Sequence, residues 1–157
     1  MHGGYMGRVL RVDLTQGAIE QVELSEEEAR TYIGGSGLGA ALLYRETGPE
    51  TDPLGPDNLL LFFTGPLTGT KVFTSGRYAV VTRSPLTGIW AEADAGGKFG
   101  PRLKAAGFDG IAIKGRAAAP VYLYVDDGRA ELRPAAGLWG KDTYVTEELI
   151  REQTAPD

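Results

Sequence analysis

Glycine accounts for 23 of the 157 residues, about twice the usual ~7%, and this excess constrains the fold. The glycines follow no collagen-like period, so they mark turns and positions where the backbone approaches another group closely. With 42% hydrophobic and 24% charged residues, the composition is otherwise globular, which argues against a disordered chain or a coiled coil. We therefore expect a single domain over residues 1–157 with an ordinary core.

Several classes of chemistry are excluded by residues that the chain lacks. It has no cysteine, so this chain ligates no iron–sulfur cluster and offers no thiol nucleophile or disulfide. The single histidine, His2, is interpreted as an untethered terminal residue, so we expect neither a histidine metal site nor a Ser/His/Asp triad. Backbone amides, carboxylates, arginines and a bound cofactor are the chemistry that remains.

Charge and hydropathy also limit the partners and the location. A net charge of −5 without clusters of Lys and Arg argues against nucleic acid as a partner. The longest apolar run, residues 59–63, falls far short of the ~20 residues that a membrane-spanning helix needs. The N-terminus lacks the pattern of a secretory signal, so we expect no membrane association and a cytoplasmic location.

Strand patterns recur along the chain, mostly in hairpin pairs. Alternating or apolar segments bounded by turn residues predict strands over 7–14, 18–24, 59–63, 76–82, 110–114, 121–125 and 129–133. The segment 59–63 is apolar throughout, which is typical of a strand buried on both faces. Residues 47–58 hold three prolines and two glycines and are expected to form a surface loop.

Four short helices complete the prediction. The first follows Ser25, which forms a capping box with Glu28, and ends before Gly34. Apolar spacing and helix-end residues predict the others over about 37–45, 98–106 and 143–152. Six or more strands, mostly in hairpins, together with four helices indicate the α+β class, with mixed, mostly antiparallel β-sheets.

Two glycine-containing motifs allow more than one interpretation. Gly34-Gly-Ser-Gly37 separates the first two helices and is either a tight corner, which we favour, or an anion-facing turn at a helix N-terminus. The tetrapeptide Pro-Leu-Thr-Gly occurs at 66 and again at 85, each time after a predicted strand. Two short matches do not establish an internal repeat, but we expect both loops at the same edge of a sheet.

One constellation of residues predicts a ligand site. Arg77 opens a strand directly after Gly76, and Asp94-Ala-Gly-Gly97 precedes the helix 98–106, so the two segments are expected to meet at one end of a sheet. Small residues beside Asp94 let a flat ligand approach the backbone, N–H groups at the helix start favour a phosphate, and Arg77 offers a bidentate clamp. The alternative is a surface arginine beside an ordinary glycine turn.

No catalytic residue is assigned from the sequence. Glu92 and Asp94 lie two residues apart and would share a strand face, as an acid/base pair could. Since the only histidine is terminal, the simpler interpretation is a solvated strand edge.

Several blocks occur in the order found in one known enzyme family. They are Gly7–Leu14, Gly65–Thr70, Gly76-Arg-Tyr78, Ser84–Gly88, Ala95-Gly-Gly97 and Phe99-Gly100. On these residues the chain resembles the N-terminal domain of the tungsten-containing aldehyde:ferredoxin oxidoreductases, from Gly3 to about Glu152.

The resemblance implies a cofactor and a site. In that family an aldehyde and water are oxidised to a carboxylate at a tungsten held by two pterin dithiolenes, and electrons leave through a [4Fe-4S] cluster to ferredoxin. The N-terminal domain is the β-rich base on which the tungstopterin, a molybdopterin-type cofactor, lies, and magnesium bridges the pterin phosphates. By resemblance Arg77, Asp94, Ala95 and Gly96 contact the cofactor, with a backbone contact from Asp94 to magnesium.

The chain departs from the family pattern at two points. The family commonly has asparagine where this chain has Asp94; the change is mild if the contact is a backbone carbonyl, but an added negative charge beside a phosphate would weaken binding. The family polypeptide also continues for hundreds of residues that supply the cluster cysteines and the substrate pocket. We therefore expect that this chain does not oxidise aldehydes alone.

Three hypotheses follow for the role of the chain. In the first it is the cofactor-base subunit of a split oxidoreductase, with a partner chain carrying the missing domains. In the second it is a stand-alone relic that binds a phosphorylated pterin, and in the third a structural module that forms a homo-oligomer through an exposed sheet face. A piece of a longer enzyme is a further alternative.

Overall fold

The computed structural model describes residues 3–154, so His2 lies outside the described residues. The elements in chain order are β1 (Arg8–Asp13), β2 (Ala18–Glu23), α1 (Glu26–Tyr32), α2 (Gly35–Glu46), β3 (Leu60–Thr64), β4 (Tyr78–Arg83), β5 (Trp90–Ala95), α3 (Phe99–Ala105), β6 (Gly110–Lys114), β7 (Val121–Asp126), β8 (Arg129–Pro134) and α4 (Thr143–Thr154). The predicted α+β class is confirmed. Over residues 3–154, none of the helices is both long and apolar enough to cross a bilayer.

Six strands form one mixed sheet in the order β2-β1-β6-β3-β4-β5, and β7 and β8 form a second, two-stranded sheet. The predicted hairpins β1–β2 and β7–β8 are both confirmed. β1 and β6 pair in parallel, with Val9 opposite Gly110, while the other neighbouring strands are antiparallel. The parallel pair brings together segments about a hundred residues apart.

Each face of the large sheet carries its own hydrophobic core. Helices α1 and α2 cover one face, where the buried strand residues are Val9, Leu61, Phe63, Ala79, Val81 and Ala112. On the other face Leu10, Val12, Leu103, Phe108 and Ile111 form a second cluster, packed against apolar side chains of β7 and β8. The apolar segment of β3 contributes to both cores, because Leu61 and Phe63 lie in the first and Phe62 packs on the second.

The two helices on the first face differ in how they begin. At α1 the Ser25 hydroxyl accepts the Glu28 N–H at 3.1 Å and the Glu28 carboxylate accepts the Ser25 N–H, which confirms the capping box. α2 begins at Gly35, two residues earlier than predicted, and its N-cap, Gly34, offers no side chain to the helix. Three of the four residues of the Gly34–Gly37 motif therefore form the first turn of a helix.

The two Pro-Leu-Thr-Gly loops lie at opposite ends of the sheet, so the expectation of a shared edge was wrong. One loop follows β3 and the other follows β4, and these strands are antiparallel neighbours. The first loop is anchored in the domain, since Thr68 is 6% exposed, whereas Leu86 of the second is 92% exposed. The same tetrapeptide sequence thus occurs in two different structural environments.

Candidate functional site

A cavity of about 510 Å³ opens at one end of the large sheet. It lies where β3 ends, β4 begins and β5 ends, and α2 points its N-terminus towards it. The lining residues are Ile33–Gly37, Phe63, Gly65–Thr68, Val72–Ser75, Arg77–Ala79 and Asp94. A volume in this range is typical of sites for small molecules and cofactors.

Arg77 and Asp94, which the sequence predicted to meet, both line this cavity. They converge because β4 and β5 pair antiparallel, with Ala79 opposite Asp94 and Tyr78 opposite Ala95. Both side chains are exposed, and neither has a hydrogen-bond or ion-pair partner within residues 3–154. The cavity therefore offers one available guanidinium and one available carboxylate.

Ala95 and Gly96 lie beside this pair, but neither is among the residues that line the cavity. Ala95 ends β5, and Gly96 follows it directly. A Cβ added at Gly96 would lie 4.0 Å from Cδ of Arg77, so the arginine stem passes over this glycine. The four predicted site residues are thus neighbours in space, and two of them, Arg77 and Asp94, line the cavity.

The N-terminus of α2 also lines the cavity, at the Gly34–Gly37 motif for which the sequence allowed a tight corner or an anion-facing turn. Gly37 and Leu38 donate their N–H groups to the Gly34 carbonyl, while those of Gly35 and Ser36 have no partner in the described part of the chain. Unpaired N–H groups at a helix start carry a partial positive charge. The close approaches of a tight corner are present, since a Cβ at Gly34 would lie 2.6 Å from the Thr64 carbonyl oxygen and a Cβ at Gly37 would lie 2.2 Å from that of Tyr32. The same motif lines the cavity, so an anion-facing role stays a prediction.

The α3 N-terminus, which we expected to contribute N–H groups, does not line the cavity. α3 has only seven residues, and its first residue, Phe99, packs its ring against Tyr78 at a centroid distance of 4.7 Å. Gly100 is buried beneath Thr68, where a Cβ would lie 3.0 Å from the threonine methyl. α3 thus packs against two residues that line the cavity, Tyr78 and Thr68, and does not line the cavity itself.

Glu92 and Asp94 do not act as a pair. Ser36 donates its hydroxyl hydrogen bond to the Glu92 carboxylate, which ties β5 to the first turn of α2. Asp94 lines the cavity, and Glu92 does not. The alternative of an acid/base pair therefore finds no support in the geometry.

A buried ion pair lies beneath the Gly65–Thr68 wall of the cavity. Lys104 Nζ lies 2.5 Å from Asp109 Oδ1, and the two side chains are 6% and 1% exposed. Asp109 also accepts the N–H groups of Met6 and Gly7, and its carbonyl accepts both the N–H and the hydroxyl of Thr64. The pair therefore joins α3, the N-terminal segment and the end of β3.

Tyr5 extends this buried network towards α1. Its hydroxyl donates to the carbonyl of Ile33 at 2.7 Å, and Lys104 Nζ lies 5.5 Å from its ring centroid. Burial, and secondarily the Asp109 carboxylate, raises the pKa of Tyr5 above its usual value. The protonated Tyr5 hydroxyl therefore anchors the C-terminal end of α1 at Ile33, the residue directly before Gly34 of the cavity.

Among the described residues, no three His, Cys, Asp or Glu side chains converge as a metal site would require. Any metal at this cavity would need backbone carbonyls, water or ligand oxygens to complete its coordination. Magnesium is commonly bound in that way, through one or two protein oxygens and substrate phosphates.

The sequence that forms this mixed sheet and its glycine-lined cavity matches a known family of domains. The family model for the aldehyde ferredoxin oxidoreductase N-terminal domain matches residues 9–157. The chain belongs to this family.

The proteins to which the chain is similar include tungsten-containing enzymes that are much longer than this chain. The chain is 49% identical, over 96% of its length, to the tungsten-containing aldehyde ferredoxin oxidoreductase of Pyrococcus abyssi, of which it covers 25%. It is 42% identical, over 87% of its length, to the aliphatic sulfonate oxidoreductase, WOR-like subunit, of Pyrococcus furiosus, of which it covers 22%. The chain thus spans about a quarter of the length of these relatives.

A solved structure has the same fold. It is the active site complex BamBC of benzoyl coenzyme A reductase with 1,5-dienoyl-CoA, and one of its chains superposes with a TM-score of 0.95 at 39% identity. The match covers 98% of this chain and 23% of that chain.

Proposed function

We propose that this domain binds a tungstopterin- or molybdopterin-type cofactor in the cavity beside Arg77 and forms the cofactor base of an aldehyde:ferredoxin oxidoreductase-type enzyme. The observation that carries the proposal is the convergence of Arg77 and Asp94 on one cavity. The tungsten enzymes among the relatives support the cofactor class.

The residues present fit a phosphorylated pterin. An unpartnered guanidinium can form two parallel hydrogen bonds to a phosphate. The free N–H groups of Gly35 and Ser36 face the same space and favour an anion there. Gly96 has no side chain, so a flat ring can approach its backbone closely once the flexible Arg77 stem, 4.0 Å from the Cβ position, moves aside.

Each site residue has one role in this proposal. Arg77 holds a phosphate, Ala95 and Gly96 meet the cofactor through their backbone, and the backbone carbonyl of Asp94 is a ligand for magnesium. When bound, the cofactor supplies the redox centre for conversion of aldehyde and water to carboxylate. The chain's own residues bind and orient it and carry no electrons.

The rest of the catalytic apparatus comes from polypeptide outside this chain. The chain contains no cysteine, so an iron–sulfur cluster must be ligated elsewhere. Because the chain spans about a quarter of its relatives, we propose that a partner chain, or further polypeptide of a longer protein, supplies the cluster and the substrate pocket. The domain is then inactive alone and works in a cytoplasmic enzyme.

A second candidate function is self-association without a cofactor. Exposed apolar side chains surround the cavity, namely Ile33, Leu67, Val72 and Phe73. Such a group of side chains typically marks an interaction surface. Light scattering of the purified chain distinguishes the candidates, since a stable homo-oligomer that excludes phosphate from the cavity favours this second role.

Phosphate titration of the chain tests the proposed function. We expect inorganic phosphate to shift the Arg77 Nε–H and Gly35 amide resonances in a ¹⁵N-labelled sample. Arg77→Gln, which lacks the guanidinium resonance, should abolish the shift of the Gly35 amide, whereas Arg116→Gln, which removes one exposed positive charge elsewhere, should retain both shifts. Shifts that do not depend on Arg77 would contradict the proposed site.

A further inference from the structure

The repeated Pro-Leu-Thr-Gly tetrapeptide contains one threonine with a special environment. Thr68, in the first copy, is 6% exposed and lines the cavity. Thr87, at the same position of the second copy, is exposed at the other end of the sheet. The chain therefore provides a matched pair of threonines with the same local sequence and different surroundings.

The Thr68 side chain joins two walls of the cavity. Its hydroxyl accepts the Gly65 N–H at 3.0 Å and donates to the Arg77 carbonyl at 2.9 Å. Its methyl group faces Gly100 of α3, where any Cβ would be tightly packed against it. The rotamer is thus fixed by packing on one side and by two hydrogen bonds on the other.

This contact reaches Arg77 at the point where the strand ladder begins. Pairing of β4 with β3 and β5 starts at Tyr78, so the Arg77 carbonyl, which shares a peptide group with the Tyr78 N–H, lies at the very end of the ladder. The guanidinium has no partner within residues 3–154. The region that the arginine can reach is therefore set by its backbone, and the Thr68 hydroxyl fixes the carbonyl of that backbone where the ladder ends.

We infer that Thr68 is a positioning residue that holds the Arg77 backbone so that the guanidinium reaches an anion in the cavity. The inference rests on the proposed function. It assigns Thr68 no contact with the ligand; the threonine acts through Arg77.

The hydroxyl and the methyl of Thr68 can be separated by two substitutions. Thr68→Val keeps the shape and removes both hydrogen bonds, whereas Thr68→Ser keeps the hydroxyl and removes the methyl. Phosphate affinity is measured by ¹⁵N NMR titration of the chain with inorganic phosphate, and folding by the thermal midpoint. Thr87→Val is the matched control, and Arg77→Gln defines zero Arg77-dependent binding.

We expect Thr68→Val to weaken phosphate binding about three- to tenfold, the effect of one or two hydrogen bonds. The Gly65 amide should also exchange faster with solvent, since it loses its acceptor. Thr68→Ser should lower the thermal midpoint because the packing on Gly100 is lost, yet bind phosphate like the wild type. A purely structural role would instead make affinity follow the thermal midpoint across both variants.

The outcomes separate the two claims. If the wild type binds phosphate through Arg77 and Thr68→Val binds it equally well, the assignment of Thr68 is overturned and the proposed function stands. If the wild type shows no Arg77-dependent binding, the proposed function fails, and the inference fails with it. Should Thr68→Val not fold, Thr68→Ser decides: wild-type phosphate affinity with unchanged Gly65 exchange supports the hydroxyl, and weaker phosphate binding with unchanged Gly65 exchange overturns it.

Discussion

Asp94 contributes a negative charge to a cavity that we propose to hold a phosphate. It lies opposite Ala79 on the neighbouring strand and shares the cavity with Arg77. The net effect of the site on an anion is therefore the difference between an attraction and a repulsion, both weakened by exposure to water.

Asp94→Asn should strengthen phosphate binding. Removing one like charge at ~4 Å in water contributes up to about 1 kcal/mol, or about fivefold in Kd. The gain should shrink as salt is added, since salt screens exposed charges. Titration with inorganic phosphate at low and high ionic strength measures it, with the exposed Asp57→Asn as control; weaker binding by Asp94→Asn would show that the carboxylate itself is needed.

Asp109 supports the cavity from the core. Its carboxylate is 1% exposed and neutralises Lys104, which is itself buried. Asp109→Asn leaves that ammonium without a counter-ion, so we expect the free energy of unfolding to fall by about 3–5 kcal/mol. Urea unfolding measures this loss, and a change as small as that of Asp57→Asn would contradict a role in stability.

Among the elements, α1 is held by its cap and by Arg45 of the next helix. The hydrogen bond from Arg45, which lies 2.9 Å from the carboxylate, lowers the pKa of Glu28 below its ordinary value of 4.5, against the opposing effect of burial. The unfolded chain then binds protons more readily than the folded one. The stabilisation is present above about pH 4.5 and is lost as the pH falls through the folded-state pKa.

Glu28→Gln should therefore lower the free energy of unfolding at neutral pH and change it little at acidic pH. We expect the difference in unfolding free energy between wild type and variant to be largest near pH 7 and to approach zero near pH 3. Urea unfolding across this range measures it, and Glu27→Gln, outside the capping box, controls for the loss of one charge. A difference that stays constant with pH would refute the account of this carboxylate.

The position of α2 over β4 depends on one glycine. A Cβ on Gly39 would lie 2.8 Å from Cγ2 of Val81, so only glycine permits this approach. We expect Gly39→Ala to lower the free energy of unfolding by about 1–3 kcal/mol from overpacking, although alanine normally favours a helix. Chemical denaturation should show that Gly39→Ala costs less in a Val81→Ala background than in the wild type, and that Gly48→Ala, which has open space, loses nothing.

Elements held by local interactions were predictable from the sequence. The Ser25–Glu28 cap and the β7–β8 hairpin depend on residues close together in the chain, and both occur as predicted. The end of the sheet at which each Pro-Leu-Thr-Gly loop lies depends on the antiparallel pairing of β3 and β4, which two short matching loops cannot specify.

At the scale of the molecule, the candidate site was predictable in part. Arg77 and Asp94 do line one cavity as predicted, but the predicted strands did not include 90–95, and it is the pairing of this strand, β5, with β4 that places Asp94 near Arg77. The wrong helix was assigned to the site, because the placement of α2 over β4 arises from core packing between distant segments. Family membership, in contrast, was visible in the order of the sequence blocks and is confirmed over residues 9–157.

At the scale of the whole molecule, the chain belongs to a family of domains that occur in larger enzymes. The central proposal is that it binds a cofactor. The most direct test is analysis of tungsten, molybdenum and pterin in the intact native assembly that contains this chain, carrying either wild-type Arg77 or Arg77→Ala. We predict close to stoichiometric metal and pterin in the wild type, with a cysteine-containing polypeptide present, and loss of both from Arg77→Ala while the chain remains folded. An assembly without metal or pterin, or one whose content is unaffected by Arg77→Ala, would contradict the account.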